Sequence, residues 1–231
     1  MHAGAFRLRA LTAGLAVIMG CSACGASPPD AGTLLKQSSQ RMLNLKGFHF
    51  QMMISGFSGS SVPVQNAAGD ARPPDLRAKV NLKEGGLLLE VEVVFAAGGV
   101  YLKSFTGGWQ QLSDQELAQF FDARSLFDST AGLFAAMRDT ATPARGSVER
   151  ISGHDTYPIA GSVPAARMQR LLDPIRDQGT YQVTYWIESD NADLWRARLS
   201  GKLFDASRAA TIDFNFSNHD QAVSVSPPPL G

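Results

Sequence analysis

Phe48-His49-Phe50-Gln51-Met52-Met53-Ile54-Ser55 alternates between apolar side chains at Phe48, Phe50, Met52 and Ile54 and a mostly polar set at His49, Gln51, Met53 and Ser55. Successive side chains of a strand point to opposite faces, so this stretch describes a strand with one buried and one wet face. The pattern recurs at Leu76, Ala78, Val80 and Leu82, at Leu87, Leu89, Val91, Val93 and Phe95 against Glu90 and Glu92, and at Val100 and Leu102. Three further runs close the chain: Tyr181, Val183, Tyr185 and Ile187; Trp195, Ala197, Leu199 and Leu203; Ile212, Phe214 and Phe216. Strands that are apolar on one face only belong to an antiparallel sheet covered on one side.

The cover is helical. From Asp30 to Lys46, Leu34, Leu35, Met42, Leu43 and Leu45 recur at near-helical spacing, and Gly47 stops the pattern. Ser113-Asp114-Gln115-Glu116 is a capping box that opens a helical block. Leu117, Phe120 and Phe121 form one apolar stripe there, and Leu126, Phe127, Leu133, Phe134 and Met137 a second, broken near Arg124-Ser125. Strands are expected at Ser147–Ile151 and Thr156–Ser162 around a turn at Gly153-His154-Asp155, then a short helix at Pro164–Ile175 with Met168, Leu171 and Leu172 on one side. Gly56 to Pro74, rich in Gly, Ser, Ala and Pro, is expected as a long loop, a class often used as a lid. The fold class is α+β.

Ahead of this domain stands a leader. Arg7 and Arg9, the apolar run Ala10 to Met19 and Gly20-Cys21 describe a lipoprotein signal peptide. The run is too short for the roughly 20 residues of a spanning helix. Cleavage before Cys21 leaves Ile18-Met19-Gly20, with an aliphatic and a small residue where the peptidase needs them, and makes Cys21 the acylated residue; Cys24 is the competing site. A Cys21–Cys24 disulfide, or a plain secreted protein, is the bland alternative. The organisation is therefore signal peptide 1–20, lipidated tether 21–29, one domain at 30–226 and a Pro-rich disordered tail at 227–231, on the extracytoplasmic face of the cell membrane.

Composition excludes several functions. Lys+Arg and Asp+Glu are each 21, and removing Arg7 and Arg9 with the leader leaves 19 against 21, a charge of −2. Such a balance gives no footprint for nucleic acid. His49, His154 and His219 lie far apart with no metal-ligand spacing, and no Gly-x-Ser-x-Gly elbow or phosphate loop occurs. His49 and His154 read as solvated, as do Glu90 and Glu92 on one outer strand face. No catalytic residue, metal or cofactor is expected.

One order of motifs is more specific. The lipobox, Leu45-Lys46-Gly47-Phe48-His49-Phe50, Trp109 and Leu112 before the helical block, Val148-Glu149-Arg150-Ile151-Ser152-Gly153, Ile159-Ala160-Gly161-Ser162-Val163-Pro164-Ala165 and Val183-Thr184-Tyr185-Trp186-Ile187-Glu188 occur in sequence. This order resembles the LppX/LprA/LprF/LprG lipoproteins best known from mycobacteria, over nearly all of the mature chain. The resemblance implies a fold similar to the LolA/LolB carriers: a strongly curved antiparallel half-barrel with helices over its concave face and a hydrophobic cavity between them. It also implies binding of acylated lipids or glycolipids and their carriage within the envelope, with an envelope lipid exporter as a partner.

On that reading the cavity is lined by Phe48, Phe50, Met52, Leu89, Val91, Val183, Tyr185, Trp195, Leu199, Phe214 and Phe216 from the sheet. Leu117, Phe120, Phe121, Phe127, Leu133, Phe134 and Met137 lie above it. The same residues could instead be packed core, because sheet faces under helices are ordinarily dry and full. The protein would then be an anchored interaction or envelope-sensing module with no ligand.

Overall fold

The computed structural model describes residues 29–57, 64–104, 107–117, 123–168 and 179–231. Helix α1 (Ala31–Leu43) opens the domain, with the Asp30 carboxylate accepting from the Thr33 amide as its N-cap. Six strands follow: β1 (Phe48–Ser55), β2 (Val64–Arg72), β3 (Asp75–Glu84), β4 (Leu87–Ala96), β5 (Gly99–Lys103) and β6 (Trp109–Gln111). Helical turns α2 (Asp114–Leu117), α3 (Ala123–Leu126) and α4 (Leu133–Arg138) come next, then β7 (Ala141–Arg145), β8 (Glu149–Ile151) and β9 (His154–Pro164). The chain ends with α5 (Ala165–Met168), β10 (Thr180–Glu188), β11 (Leu194–Gly201) and β12 (Ala210–Ser217).

All strands join one antiparallel sheet of order β6-β5-β4-β3-β2-β1-β12-β11-β10-β9-β7, with β8 pairing β9. It is two meanders, β1–β6 and β9–β12, sewn together where β1 pairs β12, with β7 and β8 both paired to β9. The sheet is a curved half-barrel that does not close, and its concave side holds the core. Direct cross-strand partners carry the apolar row from strand to strand: Phe50 faces Phe216, Phe214 faces Ala197, Ala197 faces Tyr185 and Tyr185 faces Ile159.

Two elements depart from the sequence reading. Within the expected 56–74 loop, Val64–Arg72 form β2, seated between β1 and β3. Its small residues suit that place: Ala67 and Ala71 are buried, and a Cβ at Gly69 would stand 2.0 Å from the Arg77 carbonyl oxygen. Only a backbone without a side chain lets β2 and β3 approach there. Strand β7, with Pro143 in it, was unforeseen; it lies at the sheet edge, where proline is tolerated. The helix expected at Pro164–Ile175 is α5 within the described residues, and Leu171 and Leu172 fall outside them.

The capping box is present: the Ser113 amide donates to Glu116 Oε2 at 2.7 Å and the Glu116 amide to Ser113 Oγ at 3.3 Å. The C-terminal segment crosses the outer surface. Val223 donates its amide to the Lys46 carbonyl at 3.4 Å, and Val225, like Trp109, packs on the cluster of Val94, Ala96 and Tyr101. The Pro-rich tail ends beside β6, where a Cβ on Gly108 would meet the Gly231 carbonyl oxygen at 2.6 Å.

Candidate functional site

The concave face is one contiguous apolar cluster. It gathers Phe48, Phe50, Met52, Val91, Val183, Tyr185, Leu199, Phe214 and Phe216 from the sheet with Leu117, Phe127, Leu133, Phe134 and Met137 from the helical side. Its centre is aromatic. Phe127 stacks on Phe134 with centroids 5.2 Å apart, and Phe48 meets Phe127, Phe134 and Phe216 edge-on at 5.1, 5.9 and 5.6 Å. Such tilted pairs add about 0.5–1.5 kcal/mol each beyond their buried area.

Helices α1 and α4 close this centre. Ser39 Oγ donates to the Phe134 carbonyl at 2.7 Å and accepts from Arg138 Nη1 at 2.8 Å, while Arg138 Nη2 reaches the Ser129 carbonyl. These bonds pin the helix pair across the aromatic cluster. Tyr185, buried among the same residues, has its hydroxyl pKa pushed well up by burial, with the Thr140 hydroxyl 3.5 Å away.

Room is uneven along the face. Phe50, Met52, Ala67, Leu76, Ala78, Val80, Val93 and Leu126 enclose a wholly apolar void of about 10 Å³, barely the size of one water. Outside it, Lys36, Gln40 and Leu43 of α1 with its C-cap Asn44, Pro73-Pro74, Phe127, Asp128, Ser129 and Arg138 line an open groove of about 640 Å³.

Of the remaining expected lining residues, Phe120 and Phe121 lie outside the described residues, as does Cys21. Leu89 stands half-buried at the end of the row, opposite Leu82. Trp195 is on the other face. The ladder between β10 and β11 shifts at Trp186/Ile187, pairing Ile187 with Leu194 and Trp186 with Arg196, so the bulge puts Leu194 inside and turns Trp195 out. There its indole donates to Glu188 Oε2 at 3.0 Å. His154, read as solvated, stacks on that indole at 3.8 Å and bonds Glu188 Oε1 through Nδ1 at 2.9 Å. His49 is bonded to Asp70 at 2.8 Å. Glu90 and Glu92 are outer-face carboxylates paired with Lys79 and Arg77.

Sequence reasoning did not single out the lining residues Ala67, Leu76, Ala78, Val80, Val93 and Leu126. Most of them sit in alternating strands already recognised, but Ala67 is hidden in a stretch that composition marks as loop. Among the described residues no cluster of His, Cys, Asp or Glu could hold a metal ion. No helix among them is long and apolar enough to cross a membrane.

The LppX_LprAFG lipoprotein family matches residues 30–225, which is the whole of this half-barrel. The chain belongs to that family. A relative named lipoarabinomannan carrier protein LprG, from Mycobacterium leprae, is 25% identical over 229 residues, spanning 96% of this chain and 93% of the relative. Its namesake in Mycolicibacterium smegmatis is 21% identical over 94% of this chain and 93% of its own length. Among solved structures, LprF from Mycobacterium bovis aligns with TM-score 0.69 at 21% identity, covering 89% of this chain and all of LprF. LppX from Mycobacterium tuberculosis aligns with TM-score 0.62 at 22% identity, covering 87% of this chain and all of LppX. The fold of the family is therefore the fold of this chain.

Proposed function

We propose that this lipoprotein, anchored to the extracytoplasmic face of the cell membrane through an acylated Cys21, carries acylated lipids or glycolipids within the envelope. One observation carries the reading: a single apolar face runs across the sheet from β5 to β9, and beyond α1 it is covered in the described residues only by helical pieces of 4, 4, 6 and 4 residues. Short pieces with few main-chain ties open at low cost. Acyl chains enter at the void beneath Leu126 and displace it and Phe127 from the sheet. Each buried CH₂ contributes about 0.8 kcal/mol, so one chain supplies ample driving force. The carrier name of the LprG relatives points the same way, toward a glycolipid, and an envelope lipid exporter is the partner that such traffic requires. Chemistry is not part of the reading; the protein shelters its cargo from water.

A second reading, an interaction module with a filled core, is favoured by the tight Phe48, Phe127, Phe134 and Phe216 packing and by the small size of the void. Native mass spectrometry of residues 28–231 from a lipid-containing host, followed by organic extraction, separates the two. Stoichiometric acyl lipid that is lost in a Leu126→Trp variant supports the carrier. A clean apo mass with no uptake of added phospholipid or glycolipid sinks it and leaves the module.

A further inference from the structure

The sheet has a bare edge part-way along β4. Pairing with β3 runs the whole strand, from Glu84 opposite Leu87 to Leu76 opposite Phe95, yet β5 covers the other side only from Glu92 to Ala96. Among the described residues, Leu87 to Val91 therefore have a strand on one side and none on the other. The register decides which polar groups are left over. Gly85 and Gly86, both at positive φ (56° and 86°), make a two-residue turn closed by the hydrogen-bonded pair Glu84 and Leu87. Alternate residues then turn to opposite sides: Leu87, Leu89 and Val91 bond to β3, while Leu88 and Glu90 aim their N–H and C=O outward.

This edge is apolar as well as open. Leu87 and Leu88 are 66% and 67% exposed, more than any other large apolar side chain among the described residues. An open groove of about 490 Å³ follows the edge from Leu88 to Glu92, with Lys103, Ser104 and Gly107 at its far wall. Edge strands are commonly guarded by charge, proline or a bulge; three consecutive leucines are the reverse of a guard.

We propose that this edge pairs with the same edge of a second copy, β4 antiparallel to β4 about a two-fold axis at Leu89. The fit is in length and register. The bare stretch is bounded by the turn at Gly86 and by Glu92, which faces the end of β5 at Lys103, and its own five residues, reversed, fill it. Leu88 of each copy then lies opposite Glu90 of the other, so all the outward N–H and C=O groups find partners. On the inner face Leu89 meets Leu89, and Leu87 meets Val91 twice, extending the apolar row across the axis. Shifting the axis to Glu90 sets two carboxylates directly opposite, which destabilises a pair. Shifting it to Leu88 requires Gly86, already in the turn, to act as a ladder residue. A self-complementary contact of this kind is isologous and closes on itself. Five residues from each copy make the whole strand pair, so the dimer is weak and depends on concentration.

The test uses the full chain with Leu89→Cys, oxidised and run on a non-reducing gel. The wild-type chain, which keeps Cys21 and Cys24, sets the background. A two-fold at Leu89 makes a non-hydrogen-bonded pair about 4.5 Å apart at Cα, within disulfide reach. Leu88→Cys, on the opposite face of the strand and diagonal to its counterpart, is the control. Covalent dimer about tenfold above that control, abolished by adding Leu88→Pro, is the expected result; the proline removes an outward N–H and leaves the β3 ladder whole. Equal cross-linking of the two cysteine variants overturns the pairing. So does sedimentation of the wild-type chain as a monomer at every concentration, a measurement that does not depend on any variant folding.

Discussion

Trp195 lies against His154 with ring centroids 3.8 Å apart and planes 20° from parallel, on the face of the sheet opposite the aromatic core. The bulge that puts it there removes from the concave face a side chain that alternation assigns to it. Trp195→Phe therefore leaves lipid co-purification unchanged, whereas Phe214→Trp, made on the concave face, lowers it. Mass spectrometry of extracted lipid per mole of protein measures both. Loss of lipid in the Trp195 variant with an unaltered melting temperature would mean that the outer face takes part in binding.

Glu188, beneath that indole, couples the same cluster to pH. Burial pushes its carboxyl up, but hydrogen bonds from Trp195, His154 and Asn191 outweigh this and hold the pKa below the ordinary 4.5. A carboxyl depressed in the folded state contributes stability that is complete above the unfolded value and is lost as pH falls through the folded one. Melting temperature should thus fall as pH drops below about 4.5, and Glu188→Gln should flatten that acid limb while lowering stability at neutral pH. An unchanged acid limb in the variant would assign the sensitivity to other carboxylates.

Gly69 sets the spacing of β2 and β3. A Cβ there would come within 2.0 Å of the Arg77 carbonyl oxygen and 2.6 Å of the Ala78 Cα, both main-chain atoms that cannot rotate away. Gly69→Val should cost about 1–3 kcal/mol in urea unfolding, or more if the β2–β3 ladder parts. A neutral outcome would show that the strands separate freely at this point.

What the sequence made legible and what it hid follow from the same physics. Phe48 to Ser55 announces a strand because its large side chains stand against water on the other face. Gln65-Asn66-Ala67-Ala68-Gly69-Asp70-Ala71 hides one, because a strand facing Phe50 and Met52 across the ladder needs small residues, and small residues read as loop. Trp195 was misplaced because a bulge exists only in the pairing of two strands and leaves no mark in one. The concave lining was largely visible as alternation; whether it encloses cargo depends on side-chain volumes meeting across helices, which no single-strand pattern records.

The proposed function puts membrane attachment on Cys21. Cys21→Ser should release the protein from the membrane fraction and abolish incorporation of labelled palmitate, while Cys24→Ser should do neither. One buried acyl chain binds only marginally, and two or three hold firmly, so the change in partitioning should be nearly complete. Retention of the Cys21 variant on membranes, with label intact, would transfer the anchor to Cys24.

Phe134 separates cargo from core. It is fully buried, stacked on Phe127 at 5.2 Å and 6.0 Å from Phe216, so Phe134→Ala should destabilise the lipid-free chain by about 3–5 kcal/mol. A ligand bound at 100 times its Kd stabilises by about 2.7 kcal/mol. If acyl chains lie between Phe134 and the sheet, added lipid should raise the melting temperature of the alanine variant more than that of the wild type, because the chain also fills the space left by the ring. Equal rises would place the lipid away from the aromatic centre, toward Leu126. No rise in either would make the centre ordinary core and favour the interaction module.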